Sequence, residues 1–170
     1  MWEFDGQRRP PFADTPGPGQ ESVWDYPRPP IIDASPRRVD IRDGDRVIAS
    51  TADACRVLET ASPPTWYLPP EAIDFTLLTP VSGGSWCEWK GQASYFGLIQ
   101  RRDGMPVAWT YREPTPAFQG IAGWLSFYPA RVGCYVDDER VRPQPGGFYG
   151  GWLTDDIAGP CKGPPGTGHW

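Results

Sequence analysis

Val39-Asp40-Ile41-Arg42-Asp43-Gly44-Asp45-Arg46-Val47-Ile48-Ala49 reads as two short strands about a tight turn. Apolar and polar residues alternate on the way in, which is the period of a strand with one buried face. Asp-Gly between such runs is a strong short-range hairpin signal, because glycine accepts the positive φ that a two-residue turn demands.

The same grammar continues on both sides. Towards the C-terminus, a brief helical turn at Thr51 to Ala54 is followed by an expected strand at Arg56 to Thr60. Pro63-Pro64 enforces an extended break, and Thr65-Trp66-Tyr67-Leu68 resumes strand character. Asp74 to Leu78, Ala93 to Gln100 and Val107 to Tyr111 are further expected strands, the last two joined by a turn at Arg102-Asp103-Gly104. One short helix is expected from Pro116 to Trp124, with Thr115 as its cap and Phe118, Ile121, Ala122 and Leu125 on one face. Strand character returns at Phe127-Tyr128 and Val132 to Val136, with Asp137-Asp138 as a turn before Arg140-Val141. Towards the N-terminus, residues 1–20 are charged and rich in Pro and Gly without apolar period. They read as a leader without fixed structure, order beginning near Val23-Trp24-Asp25-Tyr26. From Pro143 onwards Gly and Pro dominate, yet Phe148, Tyr149, Trp152 and Trp170 recur, so an ordered tail packed across the domain is expected.

Composition agrees with a mostly β domain. Among 170 residues, 22 Pro and 20 Gly oppose long helices, while nine Trp, seven Tyr and seven Phe favour pleated, half-buried surfaces and oppose disorder. The length suits one domain with its own core. A net charge of −5, with basic pairs only at Arg8-Arg9, Arg37-Arg38 and Arg101-Arg102, opposes a nucleic-acid surface, which needs clustered cations. No stretch reaches the apolar length of a membrane span, and Met-Trp-Glu-Phe-Asp does not open like a signal peptide. A cytoplasmic protein is therefore expected, with Cys55, Cys87, Cys134 and Cys161 as reduced thiols.

Across Glu21 to Trp170 the chain resembles the bacterial domain of unknown function 427 family, sometimes labelled nucleotidyltransferase-like. The resemblance is carried by V-W-D-Y-P-R-P-P from Val23, R-V-L-E-T-x-x-P-P-x-x-Y-x-P-P from Arg56 and C-x-W-K-G-x-A-S-Y from Cys87. It continues in A-W-T-Y-x-x-P-T-P-A-F-x-x-I-A-G from Ala108 and R-P-Q-P-G-G-F-Y-G-G-W-L-T-D-D-I-x-G-P from Arg142. It implies a mostly β, compact two-sheet domain similar to the β-tent architecture, and supplies no activity. Family members commonly carry His before the Pro-Pro pair, where this chain has Ser62.

No cofactor or metal is expected. Structural zinc wants thiolates in closely spaced pairs, whereas the four cysteines here are isolated and the single histidine, His169, is next to the C-terminus. Nucleotidyl transfer needs a Gly-Ser turn, a helix and an Asp-x-Asp pair around two metal ions. Gly83-Gly84-Ser85 imitates the first part, read here as a plain turn, but Trp86-Cys87-Glu88-Trp89 follows at once. Asp137-Asp138 and Asp155-Asp156 are adjacent pairs whose side chains on a strand would diverge, so that reading is disfavoured. P-loop and dinucleotide glycine signatures are missing.

The densest reactive cluster is Trp86-Cys87-Glu88-Trp89-Lys90-Gly91. An ammonium beside a thiol favours the thiolate, and Gly91 permits the turn that would bring Lys90 near Cys87. The alternative is a small buried thiol and a surface charge. Glu59, Tyr67, Tyr95 and Tyr111 each stand in aromatic, strand-like segments, where a hydrogen-bonded core is the competing explanation. Together with Trp89 and Trp109 they compose an aromatic-lined pocket for a small molecule. In it Lys90 would meet an anionic or carbonyl oxygen, Glu59 would orient the ligand or act as general base, and Cys87 is the third candidate catalytic group. The competing class is a protein-interaction module using exposed aromatic and Pro-rich segments. The expected partner is a small-molecule ligand, neither nucleic acid nor membrane, and a homo-oligomer is left open.

Overall fold

The computed structural model describes residues 2–170. Fifteen short strands carry the architecture, beginning with β1 (Glu21–Ser22), β2 (Ile31–Ala34), β3 (Val39–Asp43), β4 (Arg46–Thr51) and β5 (Cys55–Leu58). They continue with β6 (Thr65–Tyr67), β7 (Leu78–Cys87), β8 (Gly91–Leu98), β9 (Ala108–Thr110) and β10 (Leu125–Phe127). The last five are β11 (Gly133–Val136), β12 (Glu139–Arg140), β13 (Arg142–Pro143), β14 (Trp152–Leu153) and β15 (Ile157–Ala158).

β3 and β4 pair antiparallel from Asp43↔Arg46 to Val39↔Thr51, as the alternation predicts. Gly44 at φ +59 takes the first central position of their turn, where a side chain would be strained. The β11–β12 hairpin turns on Asp137 and Asp138, both at positive φ, a conformation short acidic side chains tolerate. These strands form the sheet β12-β11-β3-β4. A second four-stranded sheet, β10-β9-β8-β7, faces it, and a three-stranded sheet, β2-β5-β6, completes the framework. The fold is mostly β, with this three-stranded sheet and two two-stranded pairs, β1-β15 and β13-β14, beyond the two sheets that the family resemblance implies.

The main core fills the space between the four-stranded sheets. Val39, Ile41, Ile48, Cys134 and Val136 meet Leu78, Leu98, Ala108, Leu125 and Phe127, with Trp66 and Trp152 stacked beside them at 6.1 Å. Strand periodicity then gives the second sheet a different opposite face. Ala93 and Tyr95 of β8, Trp109 of β9 and Tyr111 beyond it turn away from that core into a second, aromatic cluster. Cys55 and Val57 of β5 and Tyr67 of β6 belong to the same cluster.

Several expected elements take other forms. Asp74 to Leu78 is not a strand: Asp74 accepts a hydrogen bond from the Thr76 amide and caps a 3₁₀ turn over Phe75–Leu77. β7 then starts at Leu78 and runs ten residues through Pro80, Gly83 and Gly84, residues that disguise a strand in sequence. Gly83-Gly84-Ser85 is thus no separate turn but an irregular stretch of this strand, with a register shift between Val81 and Ser85. Thr51 to Ala54 is not helical, because Thr51 Oγ1 accepts from the Asp53 amide and bends the chain. The expected helix is a 3₁₀ helix over Pro116–Ile121. Thr115 does not cap it; its hydroxyl donates instead to the Trp89 carbonyl at 2.6 Å. The element stops before Trp124, and Phe118 and Ile121 are buried as the pattern requires.

Residues 2–20 contain no strand or helix and lie along the domain, with Phe4 and Phe12 edge-on to Trp24 at 5.1 and 5.3 Å. The C-terminal stretch returns to the same place: β15 pairs parallel with β1, and Trp170 stacks on Phe12. Among the described residues no helix is long and apolar enough to cross a membrane.

Candidate functional site

The aromatic face of the second sheet is the floor of a cleft of about 500 Å³. Glu59, Tyr67, Cys87, Trp89, Lys90, Tyr95, Trp109 and Tyr111, the eight residues singled out in the sequence, all line it. They come from three places. β8 and β9 supply Tyr95 and Trp109 as cross-strand neighbours, and Tyr111 follows on the same side. β5 and β6 bring Glu59 and Tyr67. Cys87, Trp89 and Lys90 stand on the connection between β7 and β8, where Gly91 at φ +97 closes the turn opposite Cys87. That connection is fastened to the 3₁₀ helix, since the Thr115 amide donates to the Lys90 carbonyl at 3.1 Å.

Hydrogen bonds fix the walls. Trp109 Nε1 donates to Tyr67 Oη at 3.3 Å, and Tyr95 Oη donates to Ser85 Oγ at 2.7 Å. Trp109 also leans on Tyr128, with ring centroids 4.5 Å apart. Burial pushes the phenols of Tyr67 and Tyr111 well above the usual tyrosine range, and that of Tyr128 up to about 12. All three are neutral hydrogen-bonding groups at physiological pH, suited to contact rather than to base chemistry.

Glu59 is held on one oxygen. Its Oε1 accepts from Trp89 Nε1 at 3.2 Å and from Arg28 at 3.3 Å. The Arg28 side chain is nearly inaccessible to water and is itself fastened by the carbonyls of Phe4 and Thr60. Among the described residues Oε2 has no partner, so the carboxylate presents one fixed acceptor.

Lys90 is 9% exposed, and its Nζ lies 5.7 Å from the ring centres of both Tyr111 and Phe118. No carboxylate or other acceptor meets it among the described residues. A second ammonium, not picked out in the sequence, shares the cleft. Lys162 is 4% exposed, with its Nζ 4.0 Å from the Trp2 ring and 5.3 Å from Tyr149. Its place is set by the backbone: the Lys162 amide donates to the Ala61 carbonyl, two residues past Glu59, and Gln144 Nε2 donates to the Lys162 carbonyl. Burial holds the Lys162 ammonium below its usual value, with Arg28 adding to the effect and Glu59 and Glu88 opposing it. Desolvating an ammonium costs several kcal/mol, whereas cation–π contacts return about 0.5–2 kcal/mol each. At Lys162 the rings therefore offset only part of the cost of holding a cation.

Other lining residues that the predicted site did not include are Trp2, Phe148 and Tyr149. Trp86 and Phe148, both on the cleft lining, are 71% and 81% exposed. Their rings were visible in the sequence, but nothing local says that the tail returns to Ala61. Ser62, which replaces the family's common His, also lines the cleft.

The acidic pairs lie elsewhere. Asp137 and Asp156 each accept from Arg37 at 2.7 Å, and Asp155 pairs with Arg142. All four cysteines are free thiols, with Cys134 and Cys161 buried in the cores. His169 pairs with Glu3 at 3.0 Å. Among the described residues no three His, Cys, Asp or Glu side chains gather as a metal-binding group.

Comparison with curated proteins finds no match. A family model described as a domain of unknown function, DUF427, matches residues 31–138, more than half of the chain and the segment that contributes all eight predicted cleft residues, and the protein belongs to that family.

Proposed function

We propose that the protein binds a small molecule in the aromatic cleft between the β7–β8 connection and the C-terminal tail. The observation that carries this reading is convergence. Polar groups from distant segments, the half-buried Glu59 and the buried Lys90 and Lys162, share one concave space with aromatic walls, the usual composition of a ligand site. A core assembled only for stability would avoid buried cations without carboxylate partners, since replacing such groups by apolar ones is commonly neutral or stabilising. Tyr67 and Trp109 fix the floor, Glu59 offers an acceptor and the lysines offer donors. Within this reading, Glu59 and Lys90 act as orienting groups. Cys87 contributes to the wall without a base beside it.

A second reading has one observation in its favour. Trp86 and Phe148 are large rings open to solvent, as at protein-interaction surfaces. Both stand on the cleft lining, so the small-molecule reading accounts for them as its rim.

A thermal-shift screen of metabolites on the full chain tests the proposal. Compounds that bind the folded state raise Tm by mass action. Hits are expected to lose their effect in Trp109→Phe and Lys90→Gln variants. A broad screen with no hit, or hits unaffected by either substitution, would count against the cleft.

A further inference from the structure

The charge around the cleft runs against that of the whole chain. The protein carries −5 overall, yet its three most buried charges at the cleft, Lys90, Lys162 and the adjoining Arg28, are cations. The acidic group nearest to answering them is the half-buried Glu59, and it is engaged by Arg28. Glu88, also on the lining, is exposed and solvated. As residues Lys90 and Lys162 are more than nine-tenths buried, and neither ammonium has a hydrogen-bond or ion-pair partner among the described residues. Flat rings line the same cleft: Trp89, Trp109, Tyr67, Tyr95, Tyr111 and Tyr128. Unmatched buried cations in a concave site mark where a ligand's negative charge belongs, and aromatic walls suit the faces of a planar body.

We propose that the cleft recognises a small compound with an anionic group, carboxylate or phosphate, on a flat aromatic or otherwise unsaturated body. Lys90 and Lys162 supply the donors for the anion, and the aromatic rings pack against the body. This rests on the reading of the cleft as a small-molecule site. Lys162 belongs to the site as fully as Lys90 does. Its depressed ammonium value follows from a charge buried without a partner, and a bound anion would relieve it.

Three probes of one shape test the proposal on the full chain: phenyl phosphate, benzoate and benzyl alcohol, titrated by quenching of tryptophan fluorescence. A charged hydrogen bond gained or lost corresponds to roughly a tenfold or larger change in affinity. At least one anionic probe should therefore bind about tenfold tighter than benzyl alcohol, and the tighter of the two anions identifies the head group. Lys90→Gln and Lys162→Gln should each remove roughly tenfold of the anion's affinity and leave benzyl alcohol unchanged. Lys90→Arg and Lys162→Arg should keep most of the preference. If benzyl alcohol binds as well as both anions, the anion inference fails while the small-molecule reading stands. If none of the three binds, both fail. If a Gln variant does not fold, the comparison of the three probes on the unaltered chain decides alone.

Discussion

Gly150 lies against the outer atoms of the Trp109 indole on the cleft floor, and a single methyl group there should move it. A Cβ built on Gly150 would stand 2.3, 2.8 and 3.2 Å from Cη2, Cζ3 and Cζ2 of Trp109, the outer atoms of the indole's six-membered ring. The indole cannot swing aside freely, because Tyr128 packs on it at 4.5 Å and Tyr67 accepts from its Nε1. Inserting a methyl into a packed site of this kind costs about 1–3 kcal/mol. For a chain of 170 residues that lowers Tm by roughly 2–12 °C. Trp109→Phe removes the three obstructing atoms, so the cost of Gly150→Ala should fall to within about 0.5 kcal/mol in that background, a coupling that four unfolding curves measure. The reasoning is refuted if Gly150→Ala melts like the unaltered chain. It is equally refuted if the two substitutions simply add.

Two further outcomes follow from named groups. Lys162 sits below its usual 10.5, and a bound anion favours its charged form. Benzoate affinity should thus decline as pH rises through the interval from the lowered value towards 10.5, Lys162→Gln abolishing the decline; Arg28, Glu59 and Glu88 are the charges that tune where it begins. Without ligand the sign reverses: over that interval the unfolded chain binds more protons, so this group's contribution to stability rises with pH. Removing residues 2–13 strips Phe4 and Phe12 from Trp24 and the Phe4 carbonyl from Arg28. At about 0.5–1.5 kcal/mol per aromatic pair, calorimetry should show a stability loss of about 1–3 kcal/mol, and an unchanged Tm would show that the segment contributes nothing.

What could be read from the sequence was what local chemistry specifies. Asp43-Gly44 and Asp137-Asp138 announced their hairpins because turn residues act within four positions of themselves. The eight residues line one cleft because strand periodicity puts Tyr95 and Trp109 on one face of β8 and β9, Gly91 closes the turn that carries Lys90, and the ends of β5 and β6 bring Glu59 and Tyr67 to the same side. β7 was hidden by Pro80, Gly83 and Gly84, which read as loop, although an irregular strand accommodates them. The 3₁₀ form of Pro116–Ile121 was hidden because a 3.6-residue period cannot be told from a 3.0-residue one over six residues. Lys162 was invisible for a different reason. Its place on the cleft depends on backbone contacts with Ala61 and Gln144, contacts between distant segments that no local pattern encodes.

Nine tryptophans give the central claim its most direct measurement: indole N–H resonances followed during titration of the full chain with phenyl phosphate and with benzoate. Trp89 and Trp109 line the cleft, whereas Trp24, Trp66 and Trp152 are buried in the cores. If the cleft takes an anionic planar ligand, the Trp89 and Trp109 signals move in saturable fashion with at least one probe, and those of Trp24, Trp66 and Trp152 stay in place. Titrations in which Trp89 and Trp109 do not move, or in which they move no more than the core tryptophans, would contradict the account.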